Sequence, residues 1–357
     1  MDRDGVLAAR LATQRLSGPP ASGPAPAVAE LLCVQAQDAP LARAMIALRC
    51  GGTDAGVRAA VARGELVRTH VLRPTWHYLA AEDLRWLLAL TSPKVESGMA
   101  SRHRQLSLTA ARVDAGLSVV ADALAGRRFA PRPALGTALA GAGVLDRDDP
   151  LFGQQVGHVL LLGELRALIC SAPVESTEHH YALVEEVVPA SRPREHREAL
   201  AELVRRFVTG HGPVAPSDLV RWARVTLGEV RTALRDLDGH LAPLVVDGQE
   251  LWHAPDALLP ASRAQRAWLV STFDEVFLSY RTVPWPRSAG HPAGEDPYRF
   301  AEAGGGVVLC DLEDVGAWKR TRRSGRVRID LELDTTLSSS ALGAIDDAAA
   351  TLATVIA

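Results

Sequence analysis

Apolar residues recur at helical spacing from the start of the chain, and residues 5–18 are predicted to form an amphipathic helix. The stretch SGPPASGPAPA at 17–27 is a loop that ends it. A second helical pattern begins near Ala27 and runs AVAELLCVQAQ, until Pro40 marks a break or a new first turn. LARAMIALRC continues as another helix and stops at Gly51 and Gly52; TDAGVRAAVARG is a short helix with Thr53 as its cap. ELVRTHVLRPTWHYLA then switches to extended, β-type residues. Helix, helix, short helix and two-stranded ribbon is the order of a winged helix-turn-helix.

That order recurs. SLTAARVDAGLSVVADALAG, RPALGTALAGAGV and QQVGHVLLLGELRALI are three helices, followed by the extended segment HHYALVEEVVP. A third pass runs through REALAELVRRFVTGHG, APSDLVRWARV and LGEVRTALRDL to LAPLVVDGQELWHA, a hairpin turning at Asp247-Gly248. The C-terminal region opens with a helix, RAQRAWLVSTFDEVFLSYR, and a Pro- and Gly-rich loop, VPWPRSAGHPAGEDP. Strands follow over VVLCDLEDVGAWKRTRRSGRVRIDLEL, with a turn at Arg323-Ser324-Gly325, and a last helix closes the chain. The expected fold is mainly α with small β-hairpins (α+β). Three tandem winged helix-turn-helix units (1–95, 96–192, 193–261) precede a C-terminal helix and β-rich segment (262–357).

Composition narrows the classes. The chain has 357 residues, 47% hydrophobic and 23% charged, which excludes collagen, disordered and disulfide-stapled proteins. The formal charge of -3 means that any nucleic-acid surface must arise by local segregation of charge. Its bases are almost all arginine, Lys94 and Lys319 being the lysines; either a GC-rich genome or phosphate and guanine recognition accounts for that bias. Cys33, Cys50, Cys170 and Cys310 lack CxxC spacing and sit in apolar stretches, as buried thiols of a reducing compartment do. No apolar run reaches membrane-spanning length and no signal peptide opens the chain, so a cytoplasmic protein is expected.

Four stretches carry candidate chemistry. Gln35-Ala36-Gln37 lies in an otherwise apolar helix, where two amides two positions apart diverge by about 200° unless the helix ends there. Read alone, such glutamines are surface residues. In the strand Arg73-Pro74-Thr75-Trp76-His77-Tyr78, residues Arg73, Thr75 and His77 share one face, either offered to a ligand or part of an ordinary wing. Phe273-Asp274-Glu275 begins a helix in which Asp274 and Arg281 share a face, a salt bridge or cap. Residues 319–328 pack six bases into ten, Lys319, Arg320, Arg322, Arg323, Arg326 and Arg328, a solvated face or a phosphate-contacting one. Nucleotide-binding, hydrolase-elbow and zincin motifs are absent, the adjacent His179-His180 has no matching ligand spacing, and neither metal nor cofactor is expected.

Together these residues resemble the AlkZ/YcaQ-type bacterial DNA glycosylases, winged-helix DNA-binding proteins. VQAQ with LARAMIALR, THVLRPTWHYLA, GHGPVAPSDLVRWA, FDEVFLSYR and VGAWKR occur in the family's order across most of the chain. The resemblance implies a C-shaped body of three winged-helix units with a concave DNA-binding face. It implies a catalytic Gln-x-Gln motif, which maps onto Gln35 and Gln37; the YcaQ branch has Asp at the second position, so Gln37 points to the AlkZ branch. It further implies a monofunctional glycosylase for bulky cationic N7-alkylguanine lesions, unhooking crosslinks in some members and serving self-resistance to a genotoxic natural product. The expected partner is double-stranded DNA carrying alkylated guanine, met by a monomer through Arg73, Thr75, His77, Lys319, Arg320, Arg322, Arg323 and Arg326. The chain departs from the family in the Pro-rich segment after Arg281 and in RWARV near Trp222, both of which bear on substrate choice. A non-catalytic winged-helix regulator and a drug-sequestering protein are the alternatives from other classes.

Overall fold

The computed structural model describes residues 1–176, 178–255, 266–287, 304–323, 326–333 and 337–356. They form two compact units, one of residues 1–57 and 200–357, the other of residues 58–199.

The first unit opens with α1 (Arg3–Thr13), capped by the Asp2 side chain, which accepts from the Gly5 amide. α2 (Pro24–Leu31) has proline in its first turn. It is followed by a two-residue strand, β1 (Val34–Gln35), and by α3 (Ala39–Cys50), which stops where Gly51 takes a left-handed φ of 61°. Thr53 Oγ1 accepts from the Gly56 amide at 3.2 Å and caps α4 (Asp54–Ala62), as expected. Helical character over AVAELLCVQAQ therefore ends at Leu31 and does not reach the glutamines.

In the second unit β2 (Leu66–Val71) and β3 (Arg73–Ala80) form the expected antiparallel ribbon, Leu66 opposite Ala80 and Thr69 opposite His77. A short 3-10 turn leads to α5 (Leu84–Gly98), α6 (Ala100–Gln105) and α7 (Ala110–Leu124). After β4 (Ala130–Pro131) come α8 (Arg132–Gly141) and α9 (Phe152–Leu165). Val113, Leu117, Val120 and Leu124 of α7, at spacings of three and four, meet Leu135 and Leu139 of α8 and Val156, Val159 and Leu160 of α9 in one core. β5 (Ile169–Ser171) and β6 (His180–Leu183) join β4 in a small antiparallel sheet, ordered β4-β6-β5, before the single turn α10 (Val184–Val187).

The chain returns to the first unit through α11 (His196–His211), α12 (Pro216–Ala223) and α13 (Leu227–Asp236). The hairpin of β7 (Ala242–Val246) and β8 (Gln249–His253) turns at Asp247-Gly248, whose φ angles are 49° and 73°; the sequence Asp-Gly supplies that left-handed pair. The helix expected over 263–281 is not formed where the chain is described. Ala267–Ser271 is a strand, β9, and only Glu275–Leu278 is helical, as the one-turn α14. Every residue of β9 is buried, so its side chains show no alternation, and a short continuous apolar run fits a covered strand as well as a helix. β9 is the edge of an antiparallel sheet ordered β12-β11-β10-β9, with β10 (Gly305–Cys310), β11 (Glu313–Arg323) and β12 (Arg326–Leu333). At Gly306 a Cβ would lie 1.9 Å from the Val270 carbonyl oxygen, so the β9–β10 pairing requires glycine there. α15 (Ser339–Ile356), the expected closing helix, packs on β9 and α3. Among the described residues no helix is long and apolar enough to cross a membrane.

Candidate active site

Gln35 and Gln37 lie between α2 and α3, on backbone that is not helical. Leu32, just past α2, has φ 69° and ψ -50°, the strained region of a classic γ-turn, which reverses the chain into β1. Asp38 then caps α3, its Oδ1 accepting from the Leu41 amide at 3.0 Å, with Pro40 in the first turn. The cap sets the helix start at Ala39 and leaves both glutamines outside it. The backbone is strand at Gln35 and bends at Gln37, so the divergence required of a regular helix does not apply to this pair. Gln35 and Ala36 are buried, and Gln37 is exposed.

A buried polar network underlies this segment. The Glu275 carboxylate, fully buried at the start of α14, accepts from the Gln35 backbone N–H at 2.9 Å (Oε1) and from Trp222 Nε1 at 2.8 Å (Oε2). Ser279 Oγ lies 3.1 Å from Glu275 Oε2 and 2.9 Å from His211 Nδ1. His211 Nε2 is 3.0 Å from the Leu31 carbonyl oxygen, so this nitrogen carries the proton and donates. Burial pushes the His211 imidazole down to about 4, which keeps it neutral near pH 7. α11 reaches α2 backbone to backbone here, because a Cβ at Gly210 would lie 2.1 Å from the Glu30 carbonyl oxygen.

Beside it, Asp274 caps α14 by accepting from the Val276 amide and forms a buried two-pronged pair with Arg49, at 2.7 and 2.8 Å. The expected pairing of Asp274 with Arg281 on one helix face is therefore corrected; α14 is a single turn, and the Arg281 amide donates to Asp218 Oδ1. Arg49 also donates to Gln14 Oε1; Gln14 Nε2 donates to the Tyr280 hydroxyl, which donates to the His211 carbonyl oxygen. Arg10 stacks on the Tyr280 ring at 3.8 Å and donates to the carbonyls of Pro213, Thr282 and Val283. Asp218 Oδ2 accepts from the Ala215 amide. The GHGPVAPSD and FDEVFLSYR stretches are thus the inner supports of the Gln35 segment. The family resemblance drew attention to both stretches but not to their partners, since Glu275 stands 240 positions from Gln35.

In the second unit, Arg73, Thr75 and His77 occupy alternate positions of β3. His77 is fully buried, its Nδ1 donating to the Thr75 carbonyl at 2.9 Å and its Nε2 facing an Arg73 nitrogen at 3.3 Å. Burial first, and the Arg73 charge second, hold this imidazole well below its usual range. His77 thus stands behind Arg73, which is half-buried. Trp76 on the opposite face carries the Arg68 guanidinium 4.1 Å above its ring and packs on His70 and His179. His70 Nδ1 lies 2.5 Å from Oε2 of the buried Glu164, whose carboxyl is pushed up by burial.

The basic run lies on β11 and β12, where Lys319 is opposite Asp330, Arg320 opposite Ile329, Arg322 opposite Val327 and Arg323 opposite Arg326. Asp330 accepts from Thr321 Oγ1 and pairs with Arg328, which partly balances the charge at the root of the hairpin. Ser324 and Gly325 of the expected turn lie outside the described residues, as do residues 288–297 of the Pro-rich segment. A Cβ at Gly304 would lie 3.8 Å from an Arg320 guanidinium nitrogen and 4.0 Å from an Asp38 carboxylate oxygen. The hairpin root and the cap that follows Gln37 therefore border the same glycine.

The chain is similar to the solved structure of Streptomyces sahachiroi DNA glycosylase AlkZ, with a TM-score of 0.76 over 100% of this chain and 97% of that one. At 22% identity this is a likeness of fold. No curated protein matches the chain. A family model described as DNA glycosylase AlkZ-like matches residues 28–355, a span that includes Gln35, Gln37 and Glu275. The chain belongs to the AlkZ-like family of DNA glycosylases.

Proposed function

We propose that the protein is a monofunctional glycosylase that hydrolyses the N-glycosidic bond of bulky, cationic N7-alkylguanine in duplex DNA, with Gln35 and Gln37 as its catalytic residues. The observation that carries this reading is the Gln35–Gln37 segment itself: outside any helix, anchored at the Gln35 backbone N–H by a buried carboxylate, and exposed at Gln37. Alkylation at N7 puts a positive charge on the base, which then leaves without general-acid help. What remains is to stabilise an oxocarbenium-like sugar and place a water beneath C1′. A glutamine carbonyl oxygen accepts from that water and offers partial negative charge to the sugar, while the amide NH2 holds a phosphate or the water's other side. Neutral amides are weak bases, so cationic lesions react and uracil does not. A bifunctional enzyme needs an amine nucleophile, and the Gln35–Gln37 segment itself carries none, which fits hydrolysis to an abasic site.

In the same reading the first winged-helix unit presents Arg73 (backed by His77) and Thr75 on its ribbon to DNA, and the C-terminal region presents Lys319, Arg320, Arg322, Arg323 and Arg326 on the β11–β12 hairpin. Adducts of a genotoxic natural product, including crosslinks, are the substrate class, and self-resistance is the role. The test is incubation with duplex DNA carrying 7-methylguanine, followed by hot alkali. Strand breaks at the lesion are expected, with single-turnover rates lowered about 10²–10³-fold in Gln35→Ala and Gln37→Ala, as for loss of one positioned dipole. Full rates in both variants refute the assignment of the glutamines.

A further inference from the structure

We propose that His211, Ser279 and Glu275 are positioning residues: a buried clamp that grips both ends of the turn from Leu31 to Gln35 and holds the Gln-x-Gln segment in its working geometry. The inference rests on the reading of Gln35 and Gln37 given above and adds to it the groups that act through them.

Three observations carry it. The clamp has two jaws on backbone atoms: His211 Nε2–H on the Leu31 carbonyl at 3.0 Å, and the Glu275 carboxylate on the Gln35 amide at 2.9 Å. Ser279 joins the jaws, its hydroxyl within hydrogen-bond reach of both His211 Nδ1 and Glu275 Oε2. Its single proton serves either acceptor, so the two jaws are coupled through one group. Between them the chain passes Leu32 at φ 69°, a conformation that a leucine keeps only when its surroundings impose it. His211, Ser279 and Glu275 are all fully buried, so none is placed to meet a substrate. Trp222 Nε1 fixes the remaining side of the carboxylate at 2.8 Å and sets its orientation.

The chemistry makes the carboxylate specific. Glu275 has to accept at both oxygens, from Gln35 on one and from Trp222 on the other. A glutamine amide keeps one acceptor and turns the other into a donor, which meets either the Trp222 N–H or the Gln35 N–H head on. Glu275→Gln is therefore close in shape and wrong in hydrogen bonding, while Ser279→Ala uncouples the jaws with the loss of one atom.

The experiment measures single-turnover excision from a 7-methylguanine duplex, Kd for the same duplex, and hydrogen exchange at the Gln35 amide, for both variants beside Gln35→Ala. The Glu275→Gln rate is expected to fall by about 10²-fold, the scale for a misplaced catalytic dipole, with Kd changed less than about twofold. Exchange at the Gln35 amide is expected to quicken while the α3 amides stay protected, which separates loss of the clamp from general unfolding. Ser279→Ala is expected to move all three readouts the same way by less, and it carries the test if Glu275→Gln does not fold. Full excision rates in these variants, with Gln35→Ala inactive, overturn the clamp alone. A full rate in Gln35→Ala removes Gln35 from the catalytic assignment instead. The clamp is then judged by exchange: a faster Gln35 amide in Glu275→Gln supports it, and an unchanged one overturns it.

Discussion

His211 shows how one buried side chain ties the site to solution conditions. Its imidazole is neutral in the folded protein down to about pH 4, against about 6.5 when the chain is unfolded. The folded pKa is depressed, so the contribution is complete above pH 6.5 and is lost as the pH falls toward 4, where the unfolded chain has already taken up a proton. The shift corresponds to about 3 kcal/mol at full effect. His77 and His179, both pushed down by burial, the latter to about 3, act in the same direction. Thermal unfolding between pH 7 and pH 4 is expected to show a steep fall in Tm, shallower in His211→Gln, which keeps a donor for the Leu31 carbonyl and does not titrate. An equally steep fall in that variant would place the acid sensitivity elsewhere. At this scale the sequence drew attention to the glutamine pair and was silent about what holds it. The glutamine pair stood out as two amides in an apolar run, but the carboxylate that fixes Gln35 is 240 residues away, and no local periodicity encodes such a contact.

Among the elements, those with local stop signals were legible. The Asp247-Gly248 turn fixed the β7–β8 hairpin, Gly51 ended α3, and Thr53 capped α4. Two errors have one cause. AVAELLCVQAQ and RAQRAWLVSTF are runs without clear alternation, and in the folded chain part of each is buried strand whose face pattern is erased by cover on both sides. Asp38 before Ala39-Pro40 was the available signal for the first, since a cap there excludes a helix through the glutamines. The close pairing of α11 with α2 makes a sharper prediction. With a Cβ 2.1 Å from the Glu30 carbonyl oxygen, Gly210→Ala has to push the two backbones apart and draw His211 off Leu31. A loss of about 1–3 kcal/mol in chemical denaturation is expected, the usual scale of overpacking, with excision slowed beyond what the lost folded fraction explains. Unchanged stability would mean that this contact is looser than the geometry allows.

For the molecule as a whole, the formal charge of -3 is a poor guide to a DNA enzyme, because attraction to phosphate depends on where charge is concentrated. The β11–β12 hairpin concentrates it: a paired ribbon carries the basic run, and its root at Arg320 shares Gly304 with the Asp38 cap beside Gln37. Cations on such a ribbon add affinity by releasing counterions, and each phosphate contact contributes about 0.9 to the slope of log K against log salt. Replacing Lys319, Arg320, Arg322, Arg323 and Arg326 by glutamine is therefore expected to weaken binding to lesion-bearing and undamaged duplexes alike and to make that slope shallower by several units. Saturating single-turnover excision should change much less, because the glutamines and their clamp are left in place. A salt slope equal to that of the unaltered protein would remove the hairpin from the DNA interface. A slope that holds while excision collapses would make these basic residues part of the chemistry instead.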